Sequence, residues 1–184
     1  MKNILLLGAS RSGKSTFARM LDNKYQIIDG DSIRGAYKNV INNDITATSM
    51  QISENDEYRK LLTEIFKKLI RYNKDLRYVL DTVDLLPSDN HLFAKRHNVI
   101  IIALGYPNAK AQDVVCFQKQ YDTPDDWTYG LSDKELLDNA NYWIKKSIEY
   151  KDICEKLNIK FVDTSVDRNK VLEELLNWVT EQNK

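Results

Sequence analysis

The chain is short of cysteine, proline and histidine, with two, three and two of each in 184 residues, and it carries no excess charge of either sign. Cys116 and Cys154 are far apart and have no neighbouring cluster of metal ligands. They predict buried structural thiols of a reducing compartment, not a disulfide or a metal site. With 27 basic residues against 27 acidic ones, there is no global electrostatic case for binding nucleic acid or an anionic membrane. No apolar run approaches the roughly 18 residues of a membrane span. Met1-Lys2-Asn3 runs straight into an apolar strand pattern without room for a signal peptide, so a soluble, cytoplasmic protein is expected. His91 and His97 stand beside Arg96 in a polar stretch without acids or thiols at metal spacing, and read as surface residues. Repeats, linkers and low-complexity segments are missing too. At 42% hydrophobic and 29% charged residues, the composition fits a single domain over 1–184 with a full core. One further absence matters below: no arginine occurs between Arg96 and Arg168.

Against this plain background one stretch stands out. Gly8-Ala9-Ser10-Arg11-Ser12-Gly13-Lys14-Ser15, followed by Thr16, matches G-x-x-x-x-G-K-[ST], the phosphate-binding P-loop. It follows the apolar run 4–7 and precedes a helical pattern at 16–21, the strand–loop–helix setting the motif requires. Glycines allow the backbone to fold around a phosphate, so that amide N–H groups point at the anion. Gly8, Ser10, Arg11, Ser12, Gly13, Lys14, Ser15 and Thr16 are therefore the candidate nucleotide contacts. Lys14 would reach the β and γ phosphates, and the Ser15 hydroxyl would take a place on Mg²⁺.

The rest of the chain alternates strand and helix patterns. A second strand is expected at 25–29, followed by a helix that Asp31 or Ser32 would cap and that Asn42-Asn43-Asp44 would break. Helical spacing of Leu61, Leu62, Ile65, Phe66, Leu69 and Ile70 predicts a helix from 53 to about 73. A third strand at 78–81 precedes a turn at 85–88. The run 99–104 is the most hydrophobic strand, buried on both faces. Then come a short helix over 109–117, a polar excursion over 118–130, and a long helix marked by Leu136, Ala140, Trp143, Ile148 and Leu157. A fifth strand at 160–163 and a final helix through Val171, Leu175 and Val179 complete the chain. Four of the five strands look too apolar to be half-exposed. The pattern predicts an α/β protein with a parallel sheet covered on both faces, and ligands in such sheets bind at the carboxyl ends of the strands. Gly8, Asp29, Asp31, Asp81, Asp84 and the segment 163–168 gather there.

The P-loop, the Asp-Ser-Ile-Arg after the second strand and the Val-Leu-Asp-Thr-Val-Asp at the third resemble the small P-loop kinases. That group includes shikimate, gluconate and adenylylsulfate kinases and the polynucleotide-kinase-like and zeta-toxin-like enzymes. The resemblance covers the order of elements along most of the chain. It implies a three-layer fold with a five-stranded parallel sheet of order 2-3-1-4-5, and transfer of the ATP γ-phosphoryl group to a small acceptor. It further implies that Asp31 is the general base and that Arg34, at the matching spacing, clamps an anionic or polyhydroxy part of the acceptor. An N-cap role for Asp31 and a solvated Arg34 are the structural alternatives. Asp29 would hold Mg²⁺ through water, and Asp81 would support the metal as a strand-end carboxylate or else serve a turn. Asp84 is a second candidate beside Asp81. Arg168, in the loop after the last strand, would stack on adenine or belong to a capping segment.

The chain departs from the family at the lid expected over 118–130. Such kinases bring arginines over the phosphates here, whereas between 108 and 142 three lysines (Lys110, Lys119, Lys134) face seven acids (Asp113, Asp122, Asp125, Asp126, Asp133, Glu135, Asp138). Lys110, Lys119 or Arg11 would have to substitute, and Trp127 and Tyr129 either meet the acceptor or pack on their own helix. Two functions follow. One is an ATP- and Mg²⁺-dependent kinase that moves the γ-phosphoryl group to a hydroxyl or phosphate of a small metabolite or nucleotide. The other is a nucleotide-binding regulatory or interaction protein with little transfer activity. A GTPase is disfavoured, because no Asn-Lys-x-Asp segment follows the fourth strand.

Overall fold

A computed structural model describes residues 1–21, 23–40, 49–124 and 126–184. The chain runs β1 (Asn3–Gly8), α1 (Lys14–Met20), β2 (Gln26–Asp29), α2 (Gly30–Val40), α3 (Ser49–Ser53), α4 (Asp56–Tyr72), β3 (Tyr78–Asp81), α5 (Pro87–His97), β4 (Val99–Gly105), α6 (Ala111–Tyr121), α7 (Asp133–Leu157), β5 (Lys160–Asp163) and α8 (Arg168–Glu181). All strand pairs are parallel and the sheet order is β2-β3-β1-β4-β5, as the resemblance implied.

Strand alternation divides the core in two. Leu5 and Leu7 of β1 and Ile101 and Ala103 of β4 face Tyr58, Leu62 and Phe66 of α4 and Cys154 of α7. Ile4 and Leu6, with Ile100, Ile102 and Leu104, face Phe17 of α1 and Leu172, Leu175 and Val179 of α8. Every residue of β4 is buried. A parallel strand in the middle of a covered sheet must present apolar side chains both ways, and each fully buried aliphatic residue stabilises the fold by about 1.5–3 kcal/mol relative to exposure. Truncating Ile102, fully buried, to alanine would cost on the order of 2–5 kcal/mol.

Several expectations change. Three strands are buried, not four; β2 and β5 are edges, with Gln26, Ile27 and Lys160 exposed. The helix expected from 53 to about 73 is α4, which starts three residues later because the Asn55 side chain accepts from the N–H groups of Glu57 (2.8 Å) and Tyr58 (3.0 Å). The turn expected at 85–88 is the start of α5, with Pro87 in the first turn where its missing N–H costs nothing. α6 continues four residues beyond Phe117, into the segment expected as lid. Cys116 is exposed on α6, not buried; Cys154 is buried as expected, and both are free thiols. The helix break expected at 42–44 lies outside the described residues. Among the described residues no helix is long and apolar enough to cross a membrane.

Candidate functional site

The loop after β1 is shaped by two glycines. Gly8 has φ 136, and a Cβ there would stand 1.9 Å from the Leu104 carbonyl oxygen of β4. Gly13 is left-handed at φ 95 and caps α1. Between them, Arg11 also takes a left-handed backbone at φ 63, which side chains adopt only at a cost. The Tyr106 hydroxyl donates to the Ser10 carbonyl at 2.8 Å and fixes the outer rim of the loop.

Inside the loop, Lys14 is buried, and its ammonium donates to its own loop's Ala9 carbonyl at 2.8 Å. Burial lowers its pKa; Asp81, Asp31 and Asp84 pull it back up. The Ser15 hydroxyl donates to Asp81 Oδ2 at 2.7 Å. Burial raises the Asp81 pKa, against the pull of Lys14 and the Ser15 hydrogen bond. Ser12 Oγ is buried with no hydrogen-bond partner. A left-handed glycine, an orphaned hydroxyl and an ammonium resting on backbone suit a polyanion with several acceptor oxygens. Ser15 and Asp81 offer two oxygens, the donor set taken by a Mg²⁺ that keeps most of its shell for phosphate and water.

Beyond β2 the sequence candidates assemble differently from expectation. Asp29, not Asp31 or Ser32, caps α2: its Oδ1 accepts from the Asp31 N–H at 3.1 Å and its Oδ2 from the Ser32 hydroxyl at 2.5 Å. Arg34 spans two carboxylates, with Nη2 2.8 Å from Asp31 Oδ1 and Nη1 2.6 Å from Asp84 Oδ1. The Asp84 side chain is wholly buried, whereas that of Asp31 is 63% exposed. Asp84 also accepts from the hydroxyls of Ser53 (2.5 Å), Tyr58 (2.8 Å) and Thr82 (3.1 Å). This makes Asp84 the centre of the cluster. Tyr58 escaped the sequence reading because its place on the buried stripe of α4 announces packing; nothing in helical spacing shows where a hydroxyl points.

On the other side of the 8–15 loop, Arg168 lies 4.3 Å from the centroid of Phe117. Its pKa is lowered by burial, and its Nε is buried without a partner. Arg168, Phe117, Tyr106, Gln118, Tyr121 and the start of α8 enclose a cavity of about 630 Å³. Asp163 accepts from Asn108 Nδ2 at 2.7 Å and from the Ser165 N–H at 2.9 Å, which ties the ends of β4 and β5 together beside it.

Arg11 reaches from the loop into the polar excursion. Arg11 Nη2 donates to Thr128 Oγ1 at 2.9 Å and stands 2.7 Å from Asp122 Oδ1 and 3.0 Å from Asp126 Oδ1. The Asp122 contact is one of charge, without an aligned N–H, and Thr128 in turn donates its hydroxyl to Asp122 Oδ2. The Thr123 N–H lowers the Asp126 pKa, with Arg11 adding to it. Asp125 lies outside the described residues. Lys119 pairs with Asp133 at 2.5 Å, and Lys110 stands just before α6. Trp127 and Tyr129 are more than half exposed. His91 and His97 lie on α5, with His97 against Phe93.

The architecture defines a class: a three-layer α/β fold of the small P-loop kinase type. No family model matches the chain, and no curated protein sequence matches it. Solved structures do. A sugar kinase from Janibacter sp. HTCC2649 aligns with TM-score 0.57 and 14% identity over 98% of this chain and 95% of its own. A gluconokinase from Sinorhizobium meliloti 1021 aligns with TM-score 0.63 and 17% identity over 98% and 92%. A protein from Thermus thermophilus aligns with TM-score 0.56 and 17% identity over 100% and 98%. The chain therefore shares the fold of these structures across essentially its whole length.

Proposed function

We propose that the protein is a cytoplasmic, ATP-dependent phosphotransferase that moves the γ-phosphoryl group to a hydroxyl of a small metabolite or nucleotide. The observation that carries this reading is the Ser15–Asp81 hydrogen bond beside Lys14, with Asp31 and Arg34 within electrostatic reach of the same ammonium. Mg·ATP, when bound, supplies the electrophilic phosphorus and the metal charge. Lys14, Ser12 and the loop N–H groups hold the phosphates, Ser15 and Asp81 hold the metal, with Asp29 at the adjoining strand end, and Arg168 flanks the base. Arg34 orients the acceptor. Asp31 takes the proton of the acceptor hydroxyl as its oxygen bonds to phosphorus and the bond to the leaving diphosphate breaks.

The test is Asp31→Asn, which keeps shape and hydrogen bonding but accepts no proton. ATP affinity should hold within about threefold while acceptor-dependent ADP release falls by roughly 10²–10⁴, toward the low end because proton transfer comes late in a loose transition state. Normal turnover in the variant would remove Asp31 from the role. The engagement of Arg11 by lid acids favours a second reading, a nucleotide-binding regulatory protein. That reading stands if no acceptor raises ADP release and a partner protein binds only in the presence of ATP.

A further inference from the structure

We propose that the acceptor is a polyhydroxy compound bearing no acidic group. This rests on the kinase reading and concerns the end of the site beyond Lys14. Arg34 is the cation an acceptor would meet there, and it is already matched twice, by Asp31 and Asp84. Hydroxyl donors on Ser53, Tyr58 and Thr82 hold Asp84 in place, and although Tyr58 also stands 3.1 Å from the Gly30 carbonyl, turning Asp84 away from Arg34 breaks several hydrogen bonds at once.

The wider charge balance points the same way. Among the described residues, Asp31, Asp81 and Asp84 act on Lys14, Asp31 and Asp84 act on Arg34, and Asp29 acts on Asp81, so four carboxylates gather around these two cations. Among nearby cations, Arg59 gives its Nε to the Ser53 carbonyl at 2.8 Å, and Lys146 pairs with Glu149 at 2.9 Å.

A carboxylate or phosphate on the acceptor would have to displace Asp31 from Arg34 and still lie against the fixed charge of Asp84. Like charges at such range disfavour one another strongly away from bulk water. Hydroxyls meet no such conflict. They donate to the outer lone pairs of exposed Asp31 and accept from Arg34, leaving the ion pairs in place.

The experiment uses the full chain with Mg·ATP and sets of acceptors that differ at one group: gluconate, glucitol and glucamine; nucleosides and their 5′-monophosphates; glycerol and glycerate. Within any set that supports ADP release, kcat/KM for the uncharged or aminated member should exceed that for the acidic member by about tenfold or more. An acidic member preferred in its set overturns the proposal and leaves the kinase reading standing. Silence across every set ends the kinase reading, and this proposal with it. A second measurement does not depend on turnover. With a non-hydrolysable ATP analogue bound, calorimetry on Asp31→Asn should show the acidic member gaining on its uncharged partner by several-fold, because Arg34 has lost one of its two carboxylates. An unchanged ratio would mean that the Arg34 pairing does not set acceptor charge, and would overturn the proposal.

Discussion

Arg11 carries the clearest energetic conflict in the molecule. It is the only arginine inside the phosphate-binding loop, and the structure commits it to Asp122, Asp126 and Thr128 of the segment that follows α6. A nucleotide whose phosphates draw on Arg11 must compete with those acceptors. Asp122 is the partner that matters: its side chain is 7% exposed and that of Arg11 26%, so their attraction is partly shielded from water, whereas Asp126, at 30%, is more open and contributes less. A charge-assisted contact of this kind is worth about 1–2 kcal/mol once desolvation is subtracted. Asp122→Asn keeps the Thr128 hydrogen bond possible and removes the charge. The released 1–2 kcal/mol should appear as tighter ATP binding, by roughly 5–30-fold, read by calorimetry at fixed Mg²⁺ and ionic strength. Fluorescence of the exposed Trp127 on the same segment should respond to ATP less in the variant than in the parent, because the latch that ATP would open is already weakened. Affinity unchanged within about twofold, or weakened, would refute the competition and make Asp122 a support that aims Arg11.

Two further outcomes follow from burial. Tyr58→Phe removes one of the hydroxyls on fully buried Asp84 and should lower the unfolding free energy in urea by about 1.5–3 kcal/mol; a loss under about 0.5 kcal/mol would show that Asp84 does not depend on that donor. Cys116 is exposed, while Cys154 is buried with its thiol pushed up to about 12 by desolvation. Ellman's reagent should therefore titrate one thiol rapidly in the native protein and two in guanidinium; two fast thiols in the native state would contradict the packing of α7 on the sheet.

The fold was legible from local patterns because the relevant physics is local. β3 and β5 have the bounds their apolar runs predicted, and the 8–15 motif sits between β1 and α1 as its context required. Misreadings arose where the deciding interaction was a cap or an edge. Pro87 reads equally as a turn residue and as the first residue of a helix. Asn55 sets the start of α4 through a side chain whose direction spacing does not reveal. The exposure of β2 and β5 depends on strand order, which a composition of isoleucine and valine does not specify.

The sequence by itself determined that a parallel sheet would gather Gly8, Asp29, Asp31, Asp81 and Asp84 at its carboxyl edge, because strand ends in such folds share one rim. Only the tertiary structure decided what those residues do to one another. It made Asp29 the cap of α2, drove Asp84 into the core beneath three hydroxyls, divided Arg34 between two carboxylates and turned Arg11 toward Asp122. The reason is that a covered parallel strand announces itself in a local run of apolar residues, whereas the partner of a charged side chain is set by residues tens of positions away, whose approach depends on how the helices pack.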